Sequence, residues 1–209
     1  MNGDRFLAPY HLIWEGINNG LSEFCKKDEH VFLDELIQVV ADPERPSRLI
    51  PRITYDGAHF NYEGYEMLGK AMAGELKDVL KKDDTVLMYG DSITAGFPYH
   101  EPVLSPGLGD PKHSYGFWVE DILKVDVVNQ GISGDTSGGI LQRFIDDEKK
   151  GDVVILQGGA NDAMSYMLVK PPDWTIQMIL NNFKEMAWVA KRRGIEPILM
   201  PLLPFDPEW

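Results

Sequence analysis

Cysteine, positive charge in excess and long apolar segments are all scarce in this sequence of 209 residues. The single cysteine, Cys25, excludes an intrachain disulfide and fits a reducing compartment. With 20 Lys and Arg against 33 Asp and Glu, the formal charge of −13 argues against nucleic acid or an anionic membrane as the main partner. No apolar run approaches the length of a membrane span, and the N-terminus lacks the pattern of a signal peptide. We therefore expect a cytoplasmic protein without a membrane span.

Strand-like and helix-like segments alternate along the chain, which predicts an α/β fold with a parallel sheet in one domain. Short apolar runs predict strands at Thr85–Tyr89, Val125–Asn129, Asp152–Leu156, Ile195–Met200 and His30–Leu36. Apolar periodicity and capping residues predict helices at His11–Lys26, Asn61–Lys81, Tyr115–Leu123, Gly138–Asp146 and Thr175–Arg193. The remaining longer segments are predicted as loops or surface connections: Ala41–Tyr55, Pro204–Trp209 and Met1–Tyr10.

A candidate nucleophile follows the predicted strand Thr85–Tyr89. The segment Gly90–Gly96 reads GDSITAG, and its small residues allow a sharp strand-to-helix turn around Ser92. The N-terminus of the following helix would direct backbone N–H groups and a positive dipole end toward Ser92. Taken alone, the same residues are equally compatible with simple capping of that helix.

A candidate general base lies upstream of this turn. Among five histidines, only His59 has an acid three residues before it, Asp56, on a loop that precedes a helix. A carboxylate in that place can hold one imidazole nitrogen and leave the other free to accept a proton. Considered alone, the pair is also compatible with a loop histidine bonded to a capping aspartate.

Two further loops follow the second and third strands of this half of the chain. Gly134, in NQGISGDTS, could expose a backbone N–H, and Asn161, in GGAND, could supply a side-chain amide to an oxyanion. Asp162 is expected to tie down its loop. Both loops are also ordinary glycine-rich turns, and Asn tolerates left-handed backbone geometry. Together, however, the four segments would meet at the edge where open α/β sheets bind ligands.

These four segments resemble the blocks of the GDSL esterase/lipase group, also called SGNH hydrolases. The resemblance implies a catalytic triad of Ser92, His59 and Asp56, and an oxyanion hole formed by Ser92, Gly134 and Asn161. It also implies a three-layer, flavodoxin-like fold with a five-stranded parallel sheet. Block order differs from the family's, because residues 1–80 correspond to its C-terminal part and residues 85–209 to its N-terminal part. The chain is therefore interpreted as a circularly permuted single domain spanning residues 1–209.

The resemblance implies hydrolysis of small-molecule acyl esters without a metal or other cofactor. We expect a short acyl group such as acetyl, on a sugar or simple alcohol. The cleft is expected to be bordered by Phe97–Ser114, Pro201–Trp209 and Met1–Tyr10, with apolar surface from Phe6, Trp14 and Trp209. One alternative is a catalytically silent, esterase-like module that binds a carbohydrate or acyl ligand. Another is a flavodoxin-like redox or signalling domain, which leaves the Asp56–His59 pair unexplained. The oligomeric state is not predicted.

Overall fold

Helices and strands alternate through the part of the chain that the computed structural model describes, residues 4–205. The helices are α1 (Asp4–Asp28), α2 (Glu35–Val40), α3 (Tyr62–Leu76), α4 (Ser92–Ala95), α5 (Tyr115–Leu123), α6 (Ser137–Asp146), α7 (Ala160–Tyr166) and α8 (Pro172–Arg192). The strands are β1 (Val31–Phe32), β2 (Ala41–Asp42), β3 (Arg45–Leu49), β4 (Thr85–Gly90), β5 (Asp126–Gly131), β6 (Val153–Leu156) and β7 (Glu196–Leu199).

The main sheet of this described region has five parallel strands in the order β1-β7-β6-β4-β5. If the five strands are renumbered in chain order from β4, with β1 as the fifth, the order across the sheet from β5 to β1 is 2-1-3-4-5. This is the flavodoxin-like arrangement. The predicted fold class is therefore confirmed. The strand order is also the one that a circular permutation would produce, although the permutation itself stays a prediction.

Strand β4 lies between two apolar layers, one on each face of the sheet. Its side chains alternate, with Leu87 and Tyr89 facing one layer and Val86 and Met88 facing the other. The first layer packs against α1, α6 and α8, and the second against α2, α3 and α5. Burial on both faces explains why β4 is a continuous apolar run in the sequence.

The predicted strand His30–Leu36 is wrong beyond its first residues. Only Val31–Phe32 forms a strand, which pairs with β7, and helix α2 begins at Glu35. Leu33, Leu36 and Val40 are all buried, and their spacing of three and four residues fits a helix rather than a strand.

One of the predicted loops also contains regular structure. The segment Ala41–Tyr55 includes the antiparallel hairpin of β2 and β3 and a 3₁₀ turn at Pro51–Ile53. The hairpin turn is held by Asp42, whose carboxylate accepts hydrogen bonds from Glu44 N and from the Arg45 guanidinium.

The described parts of the two chain ends differ from the surface connection that the sequence predicted. Residues 4–10 belong to α1, Pro204 is buried, and Leu202 packs in the same apolar layer as α1. Trp14 Nε1 donates to Leu202 O at 2.6 Å, and Asn18 exchanges hydrogen bonds with the Leu202 backbone. Trp209 and the Phe6 side chain lie outside the described residues.

Candidate active site

Ser92 occupies the first position of α4, directly after β4 ends at Gly90. Asp91 caps this short helix, because its Oδ1 accepts a hydrogen bond from Ile93 N at 3.0 Å. A Cβ at Gly90 would collide with Thr94 Oγ1 and lie 2.8 Å from Gln157 Oε1, so the turn requires glycine there. This turn places Ser92 at the carboxyl edge of the sheet.

His59 and Asp56 are held together by a tight loop that precedes α3. Asp56 Oδ1 accepts hydrogen bonds from Ala58 N at 3.0 Å and from His59 N at 2.8 Å, while its Oδ2 lies 2.7 Å from His59 Nδ1. Burial acts to raise the pKa of Asp56, but these hydrogen bonds outweigh burial and lower the pKa overall. The carboxylate therefore stays ionised and orients the imidazole.

The second imidazole nitrogen reaches the serine. His59 Nε2 lies 2.9 Å from Ser92 Oγ, so one hydrogen-bonded chain joins Asp56, His59 and Ser92. The His59 ring also packs against Phe97 at a centroid distance of 4.7 Å. Tyr65, on α3, donates its hydroxyl hydrogen to Phe97 O at 2.9 Å. Helix α3, which follows His59 in the chain, therefore also holds Phe97 in place beside the imidazole.

A small cleft of about 70 Å³ opens beside Ser92 and His59. Its polar side also contains Asp91, Gln157 and Asn161. Its apolar wall comes from α1, α7 and the segment after β7: Tyr10, Met164, Leu202, Leu203, Pro204 and Phe205. Tyr10 and Phe205 pack with a ring-centroid distance of 5.4 Å. Most of this wall lies in the two chain ends, Met1–Tyr10 and Pro201–Trp209, that the sequence analysis placed at the cleft border, whereas Met164 of α7 was not predicted.

The two predicted oxyanion donors outside the nucleophile turn differ in position. Asn161 lines the cleft, and its Nδ2 donates to Asp135 O at 2.8 Å. An amide has two N–H donors, so this bond leaves one for a ligand. Gly134 has a φ of +80°, which favours glycine, but it lines a separate depression beside Asp135 and Arg143. The role of Gly134 stays a prediction.

Asp162 ties its loop to α6, as the sequence predicted. Its Oδ2 accepts from Ser137 N at 2.7 Å and its Oδ1 from Ser137 Oγ at 2.8 Å. Asn182 Nδ2 donates to the same hydroxyl at 2.8 Å. Burial raises the pKa of Asp162 more than the hydrogen bonds from Ser137 lower it. This buried network fixes the loop that carries Asn161.

The predicted cleft border at Phe97–Ser114 contributes little to the cleft itself. Phe97 contacts the His59 ring, but no residue of that segment lines the cleft in the part of the chain described.

Cys25 is buried in the core, and burial raises the pKa of its thiol to about 12, so the thiol stays protonated and unreactive.

Among residues 4–205, no group of three or more His, Cys, Asp or Glu side chains could hold a metal ion. Over the same range, every helix is too short or too polar to cross a membrane.

Three solved structures illustrate what the chain is similar to. A protein described as a putative lipolytic protein of the G-D-S-L family from Desulfitobacterium hafniense is 25% identical, over 60% of this chain and 63% of that chain, with a TM-score of 0.48. The acetylxylan esterase Axe2 from Geobacillus stearothermophilus, in a catalytic mutant, is 24% identical over 58% of this chain and 60% of its own, with a TM-score of 0.42. Esterase EstA from Pseudoalteromonas sp. is 22% identical over 57% and 62%, also with a TM-score of 0.42.

In each of these cases the chain spans less than two thirds of the neighbour's own length. No curated protein matches the sequence. The model of the GDSL-like lipase/acylhydrolase family matches residues 88–209, a stretch that contains Ser92, Gly134 and Asn161 and excludes Asp56 and His59. The family predicted from the sequence is thus confirmed, and the chain belongs to the GDSL-like lipase/acylhydrolase family.

Proposed function

We propose that this protein hydrolyses carboxylic acyl esters through a Ser92–His59–Asp56 triad. The observation that carries the proposal is the hydrogen-bonded chain of these three side chains, with distances of 2.9 Å and 2.7 Å at its two links. Ser92 and His59 are 33 positions apart in the sequence, so their contact depends on the fold and is not a local turn interaction. Nucleophile, base and orienting acid are the three roles that acyl transfer requires.

The reaction begins when Ser92 Oγ attacks the ester carbonyl and His59 Nε2 accepts the hydroxyl proton. The carbonyl electron pair moves onto oxygen, and we assign its stabilisation to the N–H groups of Ser92 and Gly134 and the Asn161 amide. His59 then protonates the leaving alcohol, and an acyl-enzyme forms on Ser92. Water attacks this intermediate with His59 again as base, releasing the acid.

A short acyl group, such as acetyl on a sugar or simple alcohol, is the substrate class we favour. The cleft, at about 70 Å³, is smaller than the range of roughly 300–1,000 Å³ that sites for drug-sized molecules span, which favours a small acyl group. Buried Leu202 and Leu203 and the Tyr10 ring close its apolar side, which limits the length of an acyl chain.

The test is hydrolysis of p-nitrophenyl acetate, butyrate and octanoate by the purified protein and by Ser92→Ala, with circular dichroism on both. We expect activity that is lost in the variant and declines with acyl length. A folded wild type without activity on these esters would contradict the proposal. An alkyl fluorophosphonate that labels the wild type and not Ser92→Ala would identify the nucleophile independently of substrate choice.

A second candidate is an esterase-like module that binds an acyl or carbohydrate ligand without turnover. The position of Gly134 outside the cleft favours it, because an oxyanion hole that lacks one donor loses roughly a hundred- to a thousandfold in turnover. Binding of an acetylated sugar, measured by calorimetry, in a protein that hydrolyses none of the esters would support this candidate.

We also propose that the block order reflects a circular permutation. Supporting it are the sheet order, in which β1 lies beside β7, and the family match, which begins at Met88 after the Asp56–His59 loop. Tyr10 and Phe205 pack together, so the two ends of the described chain are neighbours. A reordered chain that begins at Lys82, with residue 209 joined to residue 1 by a flexible linker, is expected to fold and to keep its activity. Failure of that chain to fold would contradict the proposal.

A further inference from the structure

The carboxylate of Asp91 is a buried charge for which the proposed mechanism has no use. The residue is 1% exposed and lines the cleft immediately before the nucleophile. Its Oδ1 accepts a hydrogen bond from Ile93 N, and its Oδ2 is buried without a partner at normal hydrogen-bond distance among residues 4–205, although the Gln157 side chain lies close enough to lower the pKa of the carboxyl. A buried, unpartnered carboxylate oxygen is costly, and a native structure rarely keeps one without a functional reason.

The charged and titratable groups around Asp91 come from several elements. They are Tyr10 on α1, His59 in its loop, Tyr65 on α3, Tyr115 on α5, Arg143 on α6 and Asp162 on α7.

Most of these groups cannot supply a positive charge that compensates the carboxylate of Asp91. Burial is the main cause that raises the pKa of each of the three tyrosines, and the charge of Asp91 raises it further, so they stay neutral. Asp162 is itself an acid. The Arg143 guanidinium is bonded to the Asp135 carboxylate and to the carbonyls of Gln130 and Gly90. His59 is the group among them that becomes positive during the proposed reaction.

Electrostatic attraction between Asp91 and His59 follows from their placement. Both line the cleft, and Ser92, which follows Asp91 in the chain, lies 2.9 Å from His59 Nε2. Burial raises the pKa of Asp91 to about 6, while His59 acts to lower it. Asp91 is therefore largely ionised at neutral pH, and the attraction is reciprocal.

We propose that Asp91 is a positioning residue that acts through His59: its buried charge stabilises the imidazolium that forms when Ser92 gives up its proton. This inference rests on the proposed esterase function. In the resting enzyme the carboxylate faces a neutral imidazole, and its burial is not compensated. In the transition state it faces a cation, so the interaction is stronger there than in the ground state and accelerates the reaction.

A second electrostatic effect opposes the attraction between Asp91 and His59, so the direction in which turnover changes tells the two effects apart. The oxyanion that forms on the substrate is also close to Ser92, and an ionised Asp91 would repel it. If repulsion dominates, neutralising Asp91 raises turnover; if attraction to His59 dominates, neutralisation lowers turnover.

The experiment compares the pH profiles of kcat/KM for the wild type, Asp91→Asn and Asp91→Ser. Both substitutions remove the charge and keep a side chain that can cap α4. We expect kcat/KM at neutral pH to fall by about tenfold, and the acidic limb to move to lower pH by up to about one unit, equally in the two variants. Asp121→Asn, which removes an exposed charge on α5, is the matched control and should leave the profile unchanged.

An unchanged acidic limb, or higher turnover in both variants, would overturn the inference while leaving the esterase proposal intact. A second measurement does not depend on turnover. The imidazole NMR signal of His59, assigned with His59→Gln, should titrate at lower pH in Asp91→Asn than in the wild type. If the protein hydrolyses no ester, an identical titration in the two proteins would still refute the role of Asp91, and a shifted one would support it.

Discussion

Replacing Asp91 with asparagine is expected to stabilise the fold at neutral pH but not in acid. The folded protein raises the pKa of Asp91 from 3.8 to about 6, chiefly through burial. Between these values the folded state binds a proton that the unfolded chain has lost. The wild type therefore loses stability as the pH rises from about 4 to 6, and the full penalty is present above that window.

The size of this penalty follows from the shift in pKa. A shift of about 2 units at about 1.4 kcal/mol per unit corresponds to about 3 kcal/mol at pH 7. Asparagine introduces its own costs, such as an unpartnered N–H group, but these do not depend on pH. The quantity to compare is therefore the change in stability between pH 4 and pH 7, measured as the variant's free energy of unfolding minus that of the wild type.

Urea unfolding followed by circular dichroism measures this difference. The stability of Asp91→Asn relative to the wild type should rise by about 3 kcal/mol from pH 4 to pH 7. Asp91→Ser should show the same rise, and Asp121→Asn should show none. A relative stability that does not change with pH would refute the reasoning, because it would mean that Asp91 titrates alike in the folded and unfolded chains. Together with the kinetic test, the expected result is a more stable and less active enzyme, as at other strained active sites.

Three other substitutions test the site and its support. Asp56→Asn should lower kcat, measured by steady-state kinetics, by about 10⁴-fold, because an amide facing His59 Nδ1 favours the wrong tautomer of the imidazole. A loss below about tenfold would argue that Asp56 does not orient the base. Asn161→Ala should lower kcat by roughly 10²–10³-fold with little change in KM, whereas an equal rise in KM would indicate a substrate-binding role instead. Gly131→Ala should destabilise the fold by about 3 kcal/mol in urea unfolding, because a Cβ there would lie 2.6 Å from Ala95 Cα; a neutral substitution would show that α4 can move away from β5.

Local signals predicted the elements around the proposed nucleophile well. Helix α5 has the predicted bounds, Tyr115–Leu123, because Ser114 caps it by accepting a hydrogen bond from Gly116 N at 3.2 Å. Helix α6 likewise begins where Thr136 accepts from Gly139 N at 3.2 Å. Such caps are encoded by neighbouring residues, so a single sequence contains them.

Features that depend on distant contacts were missed or wrong. Strand β1 has only two residues, because its partner β7 pairs with it over that short length before α2 begins. The chain ends were predicted at the cleft border, but which of their side chains line the cleft depends on how α1 packs against Leu202 and Phe205, almost two hundred positions away. The capping role of Asp91 could be read from its neighbours, but its unpartnered oxygen is a consequence of burial by several elements.

The position of the Asp56–His59 loop upstream of Ser92 shows which forces assemble this site. No short covalent connection holds His59 beside the nucleophile; helix α3 and the linker before β4 lie between them. Leu68 and Met72 of α3 pack in the same apolar layer as Val86 and Met88 of β4. Burial of that face therefore positions the loop, and the Tyr65 hydroxyl bond to Phe97 O refines it. Because the strands' carboxyl edge and this buried face position these side chains, we expect the same atoms to meet whichever order the blocks have along the chain, as the proposed permutation requires.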